Sequence, residues 1–227
     1  MVANALIKAG VRKGDKVVLW MFNSDLFIVS FYGIVKTGAV AVPVNLRLAP
    51  PEAEFIFNDC DAVAAVFDDV FEPAVRKMKG RLGKIKSFYS AGPGRFEGFG
   101  PLEEIIATGD IAEPGIVVDE FDESEIIYTS GTTGKPKGAL FVHHNQMTVV
   151  TTVTALMGIK PSDRILHAAP LFHSAELNLY LNSGTYVGAT HVVIKDFIPD
   201  KVLGLIEKKN HSVFWRADYV YLSDERS

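Results

Sequence analysis

Short runs rich in apolar and β-branched residues alternate along this chain with longer stretches whose apolar residues recur at helical spacing. The clearest pair is Lys16–Trp20, which predicts a strand, and 25–37, which predicts a helix with Phe27, Phe31 and Ile34 on one face. Strands that alternate with helices are typical of βαβ units, which place helices on both faces of a mostly parallel sheet. The predicted fold class is therefore α/β, with mostly parallel sheets flanked by helices.

The same patterns predict the remaining elements. Further strands are predicted at 39–44, 62–67, 86–89, 126–129, 164–169, 191–194 and 212–215, and further helices at 51–58, 71–81, 145–157, 175–181 and 199–209. Segment 91–100 is rich in glycine, and it predicts a surface connection between two halves. We therefore expect a first α/β subdomain at 1–118 and a second at 119–227.

Composition excludes several classes of function. The chain has 227 residues, of which 48% are apolar and 22% charged, and this balance predicts a globular protein with a substantial core. Its net charge of −4 and the absence of a basic stripe exclude a nucleic-acid-binding protein. Cys60 is the only cysteine, which favours a reducing compartment, predicted to be the cytoplasm. The apolar stretch 26–44 is interrupted by Lys36, Gly38 and Pro43, so no transmembrane segment is predicted.

The segment from Ser130 to Gly138 combines three glycines, three hydroxyl side chains and two lysines, with no acidic residue. Glycines let backbone N–H groups converge on an anion, hydroxyls donate further hydrogen bonds, and Lys135 and Lys137 neutralise negative charge. The pattern differs from the P-loop of nucleoside triphosphatases because Pro136 follows Lys135. A polyphosphate site is one interpretation, and a glycine-rich turn with solvated lysines is the other.

Eleven consecutive residues, YTSGTTGKPKG from Tyr128 to Gly138, resemble the signature loop of the adenylate-forming enzymes, which include the AMP-forming acyl-CoA synthetases. Stretches 11–17, 38–45 and 186–193 are similar to segments of these synthetases in the same order. The resemblance implies that the loop binds the phosphates of ATP while a carboxylic acid attacks the α-phosphorus, after which coenzyme A captures the acyl group. The implied phosphate-binding residues are Thr129, Ser130, Gly131, Thr132, Thr133, Gly134, Lys135 and Lys137.

The resemblance also implies an N-terminal domain fragment, truncated at both ends. The family's magnesium glutamate, ribose aspartate and mobile lysine are expected beyond the C-terminus, so no catalytic residue is assigned in this chain, and the isolated chain is expected to be inactive. The family's Gly-x-Pro after the last strand is replaced by 215–218, and 216–227 are therefore assigned no role. The alternative is a non-catalytic nucleotide- or pyrophosphate-binding module.

The segment APLFHS, 169–174, resembles the family's second core motif, whose aromatic or histidine residue borders the acyl pocket. The resemblance implies that Phe172 and His173 form part of that pocket, while a hydrogen-bonded histidine at a strand end is the alternative. Amino-acid-activating relatives have aspartate where His173 stands, so a fatty or aryl acid is the predicted substrate. Glu176 replaces a common glycine and is expected to put a charge near the apolar tunnel.

Two other clusters are assigned no chemistry. His143 and His144 are adjacent and lack a metal-binding pattern, so they are predicted to lie at a helix entrance near Asn145, and no metal site is assigned. The carboxylates of the acidic run at 119–125 precede a predicted strand, and such a run is typical of a solvated linker.

Overall fold

The computed structural model describes residues 1–129 and 134–208. Within them the strands are β1 (Lys16–Trp20), β2 (Val40–Pro43), β3 (Ala62–Asp68), β4 (Ser87–Ala91), β5 (Gly100–Pro101), β6 (Glu123–Thr129), β7 (Lys137–Val142), β8 (Arg164–His167) and β9 (Thr190–Val193). The helices are α1 (Val2–Lys8), α2 (Asp25–Val35), α3 (Pro50–Asp59), α4 (Glu72–Met78), α5 (Leu102–Thr108), α6 (His143–Met157), α7 (Asn182–Val187) and α8 (Pro199–Lys208). A π-helical segment, Ala175–Leu181, leads directly into α7.

Seven strands form one sheet in the order β5-β4-β3-β1-β2-β6-β7, and β8 pairs with β9 in a second, parallel sheet. Every pairing in the large sheet is parallel except the one between β6 and β7. The predicted α/β class with mostly parallel sheets flanked by helices is confirmed.

The side chains of β1 alternate between two cores, one on each face of the large sheet. Val17 and Leu19 pack in the core that contains Phe27 of α2, whereas Val18 and Trp20 pack in the core that contains Phe57 of α3. Successive side chains of a strand point to opposite faces, so a central strand must be apolar throughout when helices cover both faces. This explains the uninterrupted apolar character of Val17–Trp20.

Several parts of the chain differ from the predicted elements. The predicted helix at 71–81 is α-helical only in α4, because tighter 3-10 turns at Asp69–Phe71 and Lys79–Arg81 flank it. The predicted surface connection at 91–100 ends in a buried anchor, Phe99, which is 8% exposed and meets the rings of Phe67 and Phe88 edge-on. Strand β5 and helix α5, which follow it, were not predicted.

The subdomain boundary at 118 and 119 stays a prediction, although the large sheet itself runs across this point because β6 pairs with β2. The predicted strand at 212–215 lies outside the described residues. In the part of the chain that the structure describes, no helix combines the length and the apolar character needed to cross a bilayer.

Candidate phosphate loop and acyl wall

The ends of the candidate phosphate loop are paired with each other. Strands β6 and β7 run antiparallel, and Thr129, the last residue of β6, lies directly opposite Lys137, the first residue of β7. The chain between them therefore leaves and re-enters the sheet at one point, beside an exposed threonine and an exposed lysine. The predicted phosphate-binding residues Ser130, Gly131, Thr132 and Thr133 lie outside the described residues.

Two positions of the motif favour glycine for different structural reasons. Gly134 has a φ of +88°, a left-handed conformation that side chains disfavour. Gly138 lies opposite Tyr128, and a Cβ placed on it would come within 2.7 Å of the Ile126 Cγ2 atom. Tyr128 donates a hydrogen bond of 2.7 Å to the Asp59 carboxylate and so joins β6 to the end of α3. These residues hold the start and end of the loop in place.

The two lysines of the motif are both exposed. The Lys135 ammonium lies 5.6 Å from the centre of the Phe55 ring on α3, within range of a cation–π contact. Neither lysine forms an ion pair with a carboxylate in residues 1–129 and 134–208. Both positive charges are therefore available to an anionic ligand.

The turn that carries the second motif is anchored by Asn23, which sequence reasoning missed. The Asn23 side-chain amide donates to the Ala169 carbonyl at 2.7 Å and accepts from the Leu171 backbone N–H at 2.8 Å. Asn23 is 8% exposed and directly precedes the Ser24 cap of α2. The only sequence signal was a polar side chain just beyond the carboxyl end of a buried strand, where ligand sites of parallel sheets occur.

Phe172 and His173 lie between β8 and the π-helical segment. Phe172 is half-buried, and His173 is exposed, with its Nδ1 accepting a 3.3 Å hydrogen bond from the Ala175 N–H. An apolar cleft of about 240 Å³ between α2, α6 and α7 is lined by other side chains, among them Tyr32 and Met147. The assignment of Phe172 and His173 to an acyl pocket stays a prediction, because no ligand is present.

Glu176, which is expected to put a charge near the apolar tunnel, is buried and paired with a histidine. Its side chain is 2% exposed, and Oε1 lies 2.6 Å from His167 Nδ1 on β8. Burial raises the pKa of the Glu176 carboxyl, and the His167 hydrogen bond acts in the opposite direction. The position of Glu176 relative to an acyl tunnel stays a prediction, whereas its burial against β8 was not predicted, because the helical pattern does not show which face of this segment is turned towards β8.

The acidic run at 119–125 is not a uniformly solvated linker. Asp122 and Glu123 form ion pairs with Lys13 and Lys16 at 2.5 and 3.0 Å. Glu125, which is 0% exposed, accepts hydrogen bonds from the side-chain amides of Gln146 and Asn178 at 2.9 and 3.1 Å. Burial raises the pKa of Glu125 to about 7, against the lowering effect of the two amide donors. The linker prediction is therefore wrong for Glu125.

The raised pKa of Glu125 predicts a measurable pH dependence of stability. An unfolded glutamate ionises near pH 4.5 whereas the folded one retains its proton to about pH 7, so this group destabilises the fold as pH rises between those values. At 1.36 kcal/mol per pKa unit, this decrease in the free energy of unfolding amounts to up to about 3 kcal/mol, and Glu125→Gln should remove it. The measurement is the free energy of unfolding in urea at pH 5 and pH 8.

Glu123→Gln is the matched control for this experiment, since its side chain lies on the same strand and is 40% exposed. Its difference between pH 5 and pH 8 should equal that of the wild type. An equal pH dependence in Glu125→Gln and the wild type would contradict the assignment of a buried, proton-retaining carboxyl.

The paired histidines stand at the entrance of α6, as predicted. α6 begins at His143, and the Asn145 side chain accepts a 3.0 Å hydrogen bond from the Val142 N–H. His144 Nδ1 lies 2.8 Å from the Glu120 carboxylate, with both side chains exposed. Burial lowers the pKa of His143.

Comparison with known proteins places similarity to one enzyme family along almost the whole chain. The family described as AMP-binding enzyme matches residues 1–220. The long-chain-fatty-acid–CoA ligase FadD13 of Mycobacterium tuberculosis is 33% identical over 207 residues, which are 90% of this chain and 39% of that protein. The chain thus spans about two fifths of the length of this curated relative.

The solved structures that resemble this chain include CoA ligases as well. The anthranilate CoA ligase AuaEII in complex with anthranoyl-AMP is 33% identical with a TM-score of 0.81, over 90% of this chain and 40% of that one. A putative long-chain-fatty-acid CoA ligase from Rhodopseudomonas palustris is 26% identical with a TM-score of 0.87, over 96% of this chain and 54% of that one.

Proposed function

Because the chain belongs to the AMP-binding enzyme family, we propose that it is part of an ATP-dependent, AMP-forming acyl-CoA synthetase. The observation that carries the proposal is the geometry of the loop ends. Thr129 and Lys137 are paired across β6 and β7, and the ammonium groups of Lys135 and Lys137 have no carboxylate partner in the described residues. A polyphosphate that enters between these strand ends would meet two available positive charges.

In the proposed reaction a substrate carboxylate displaces pyrophosphate from the α-phosphorus of ATP to form an acyl-adenylate, and coenzyme A then captures the acyl group. The part of this chain is to bind the β- and γ-phosphates and so to orient the α-phosphorus. Within residues 1–129 and 134–208, no group of three or more His, Cys, Asp or Glu side chains could hold a metal ion. Independently of this, no residue of this chain is assigned to the Mg²⁺ that accompanies ATP, because the family's magnesium glutamate is expected beyond the C-terminus.

The proposed substrate is a fatty or aryl acid. FadD13 is described as a long-chain-fatty-acid–CoA ligase and AuaEII as an anthranilate CoA ligase, so relatives of similar identity act on both kinds of acid. In this chain Phe172 and His173 are proposed to border the acyl group, and His173 offers no fixed negative charge to an amino-acid ammonium group. A cytoplasmic location is also proposed, in keeping with Cys60, the only cysteine, whose pKa burial raises to about 12.

The test is ATP–pyrophosphate exchange across a panel of fatty acids, aryl acids and amino acids, run on this chain alone and on any longer protein that contains it. We expect the chain alone to bind ATP without steady turnover, and the longer protein to prefer the fatty or aryl acids. Faster exchange with amino acids would contradict the substrate class. Binding without turnover in both proteins would favour the alternative, a non-catalytic nucleotide- or pyrophosphate-binding module.

A further inference from the structure

A line of hydrogen bonds leads from the interior, close in the chain to the proposed acyl-pocket residue His173, to the surface. It starts at Glu176 in the π-helical segment, whose Oε1 atom lies 2.6 Å from His167 Nδ1 on β8. His167 Nε2 lies 2.7 Å from His191 Nδ1 at β9, and His191 Nε2 lies 3.1 Å from Thr185 Oγ1 on α7. Glu176 and His167 are 2% and 0% exposed, so water cannot replace the contact between them.

The direction of the hydrogen bonds follows from Thr185. Its hydroxyl has one hydrogen, which it donates to the Leu181 carbonyl at 2.8 Å, so Oγ1 can only accept from His191. His191 must therefore carry a proton on Nε2. Burial lowers the pKa of His191 to about 4, so the ring is neutral at pH 7 and its Nδ1 is an acceptor. His167 Nε2 must then be the donor to His191 Nδ1.

The remaining nitrogen of His167 faces the carboxylate of Glu176. With Nε2 of His167 protonated, a single further proton occupies the 2.6 Å contact between Nδ1 and Oε1. It belongs either to an imidazolium beside a carboxylate or to a carboxylic acid beside a neutral imidazole. In both arrangements the pair is neutral overall, and both ring nitrogens of His167 and of His191 have a partner, as a buried network requires.

The Glu176 end of the line lies just after the second motif, 169–174. Glu176 lies three residues after His173, and the Leu177 N–H donates a 3.0 Å hydrogen bond to the His173 carbonyl. π-helical turns are frequent at functional sites. The contact with His167 holds the first turn of this segment against β8.

We propose that Glu176 and His167 share one buried proton and act as positioning residues that fix the orientation of Phe172 and His173. One part of this inference rests on the proposed function, namely that the oriented side chains line an acyl pocket. The assignment of the protons stands independently of the substrate.

Ring-¹⁵N histidine NMR of the whole chain at pH 7 tests the proton assignment. We expect His191 protonated on Nε2 alone and His167 protonated on Nε2, with a downfield-shifted proton between His167 and Glu176. In Glu176→Gln the amide can donate to His167 Nδ1, so the same tautomers and the wild-type His173 ring signals should be kept. His191 protonated on Nδ1 in the wild type would overturn the assignment.

The positioning role is tested by Glu176→Leu, which cannot bond to His167 and should shift the His173 ring signals, whereas Glu176→Gln should rescue them. Should Glu176→Leu not fold, Glu176→Asp withdraws the carboxylate by one methylene and tests the same point. The matched control is Glu120→Gln, which removes the carboxylate from the exposed His144 pair at 2.8 Å and should change only His144. Unmoved His173 signals in the variant that folds would overturn the role.

Titration of the wild type with benzoate and decanoate separates this inference from the proposed function. We expect either acid to shift the His173 signals, and to do so more weakly in Glu176→Leu or Glu176→Asp. If neither acid shifts them in any protein, the acyl-pocket purpose is overturned, while the tautomer measurement still decides the shared proton.

Discussion

Replacing Lys135 and Lys137 together with alanine is expected to weaken the binding of pyrophosphate and of Mg-ATP by about 100-fold or more. A hydrogen bond to a charged group contributes about 1.5–3 kcal/mol, and two at the low end of that range amount to about 100-fold in affinity. Both lysines are exposed and unpaired with carboxylates in the described residues, so their loss leaves no acidic partner stranded. The measurement is isothermal titration calorimetry.

The matched control is Lys77→Ala with Lys86→Ala, which removes the same total charge from exposed positions away from the loop. This control separates a local contact from the general attraction of a cationic surface, which should change affinity only slightly. Because exposed charges are screened by salt, the wild-type affinity should also fall between 0.1 M and 1 M salt. An unchanged affinity in the Lys135 and Lys137 double variant would contradict the phosphate-loop assignment.

Lys16–Trp20 shows why most of the large sheet could be predicted from the sequence. The observed bounds of β1 equal the predicted ones, and four consecutive apolar residues, Val17 to Trp20, are the signal of a central strand that is covered on both faces. The phosphate-loop prediction rests on a signal of the same local kind, since the glycines and lysines of the motif all lie between Ser130 and Gly138. Both signals are local and need no knowledge of the tertiary structure.

Glu125 and Glu176 show what local signals could not supply. Glu125 stands in an acidic run, and its burial depends on Gln146 and Asn178, which follow 21 and 53 residues later. Glu176 is buried because β8 places His167 within 2.6 Å. Each carboxylate is acceptable inside the protein only because distant donors meet it, so its environment cannot be read from its neighbours in the chain. Helix α5 was missed because the glycines before it suggested a loop.

Replacing Trp20 with alanine is expected to lower the free energy of unfolding by about 3–5 kcal/mol, the usual cost of deleting a large buried aromatic side chain. Trp20 is 1% exposed at the end of β1. Its ring stacks on Phe71 with centroids 4.1 Å apart and meets Phe57 edge-on at 5.9 Å. The cavity left by alanine would therefore remove contacts with both α3 and the turn before α4. Urea unfolding followed by circular dichroism measures the loss.

Trp20→Phe separates the loss of volume from the loss of the indole N–H. The Trp20 Nε1 atom is buried and has no hydrogen-bond partner in the described residues, so its N–H makes no contribution that phenylalanine would remove. The smaller ring keeps most of the stacking, and the expected loss is about 1–2 kcal/mol, well below that of alanine. Val70→Ala, at a nearby side chain that is 61% exposed, should change the stability by less than about 0.5 kcal/mol. Equal losses in Trp20→Phe and Trp20→Ala would show that the N–H has a bonding role and that packing against Phe71 and Phe57 is not what stabilises this end of the sheet.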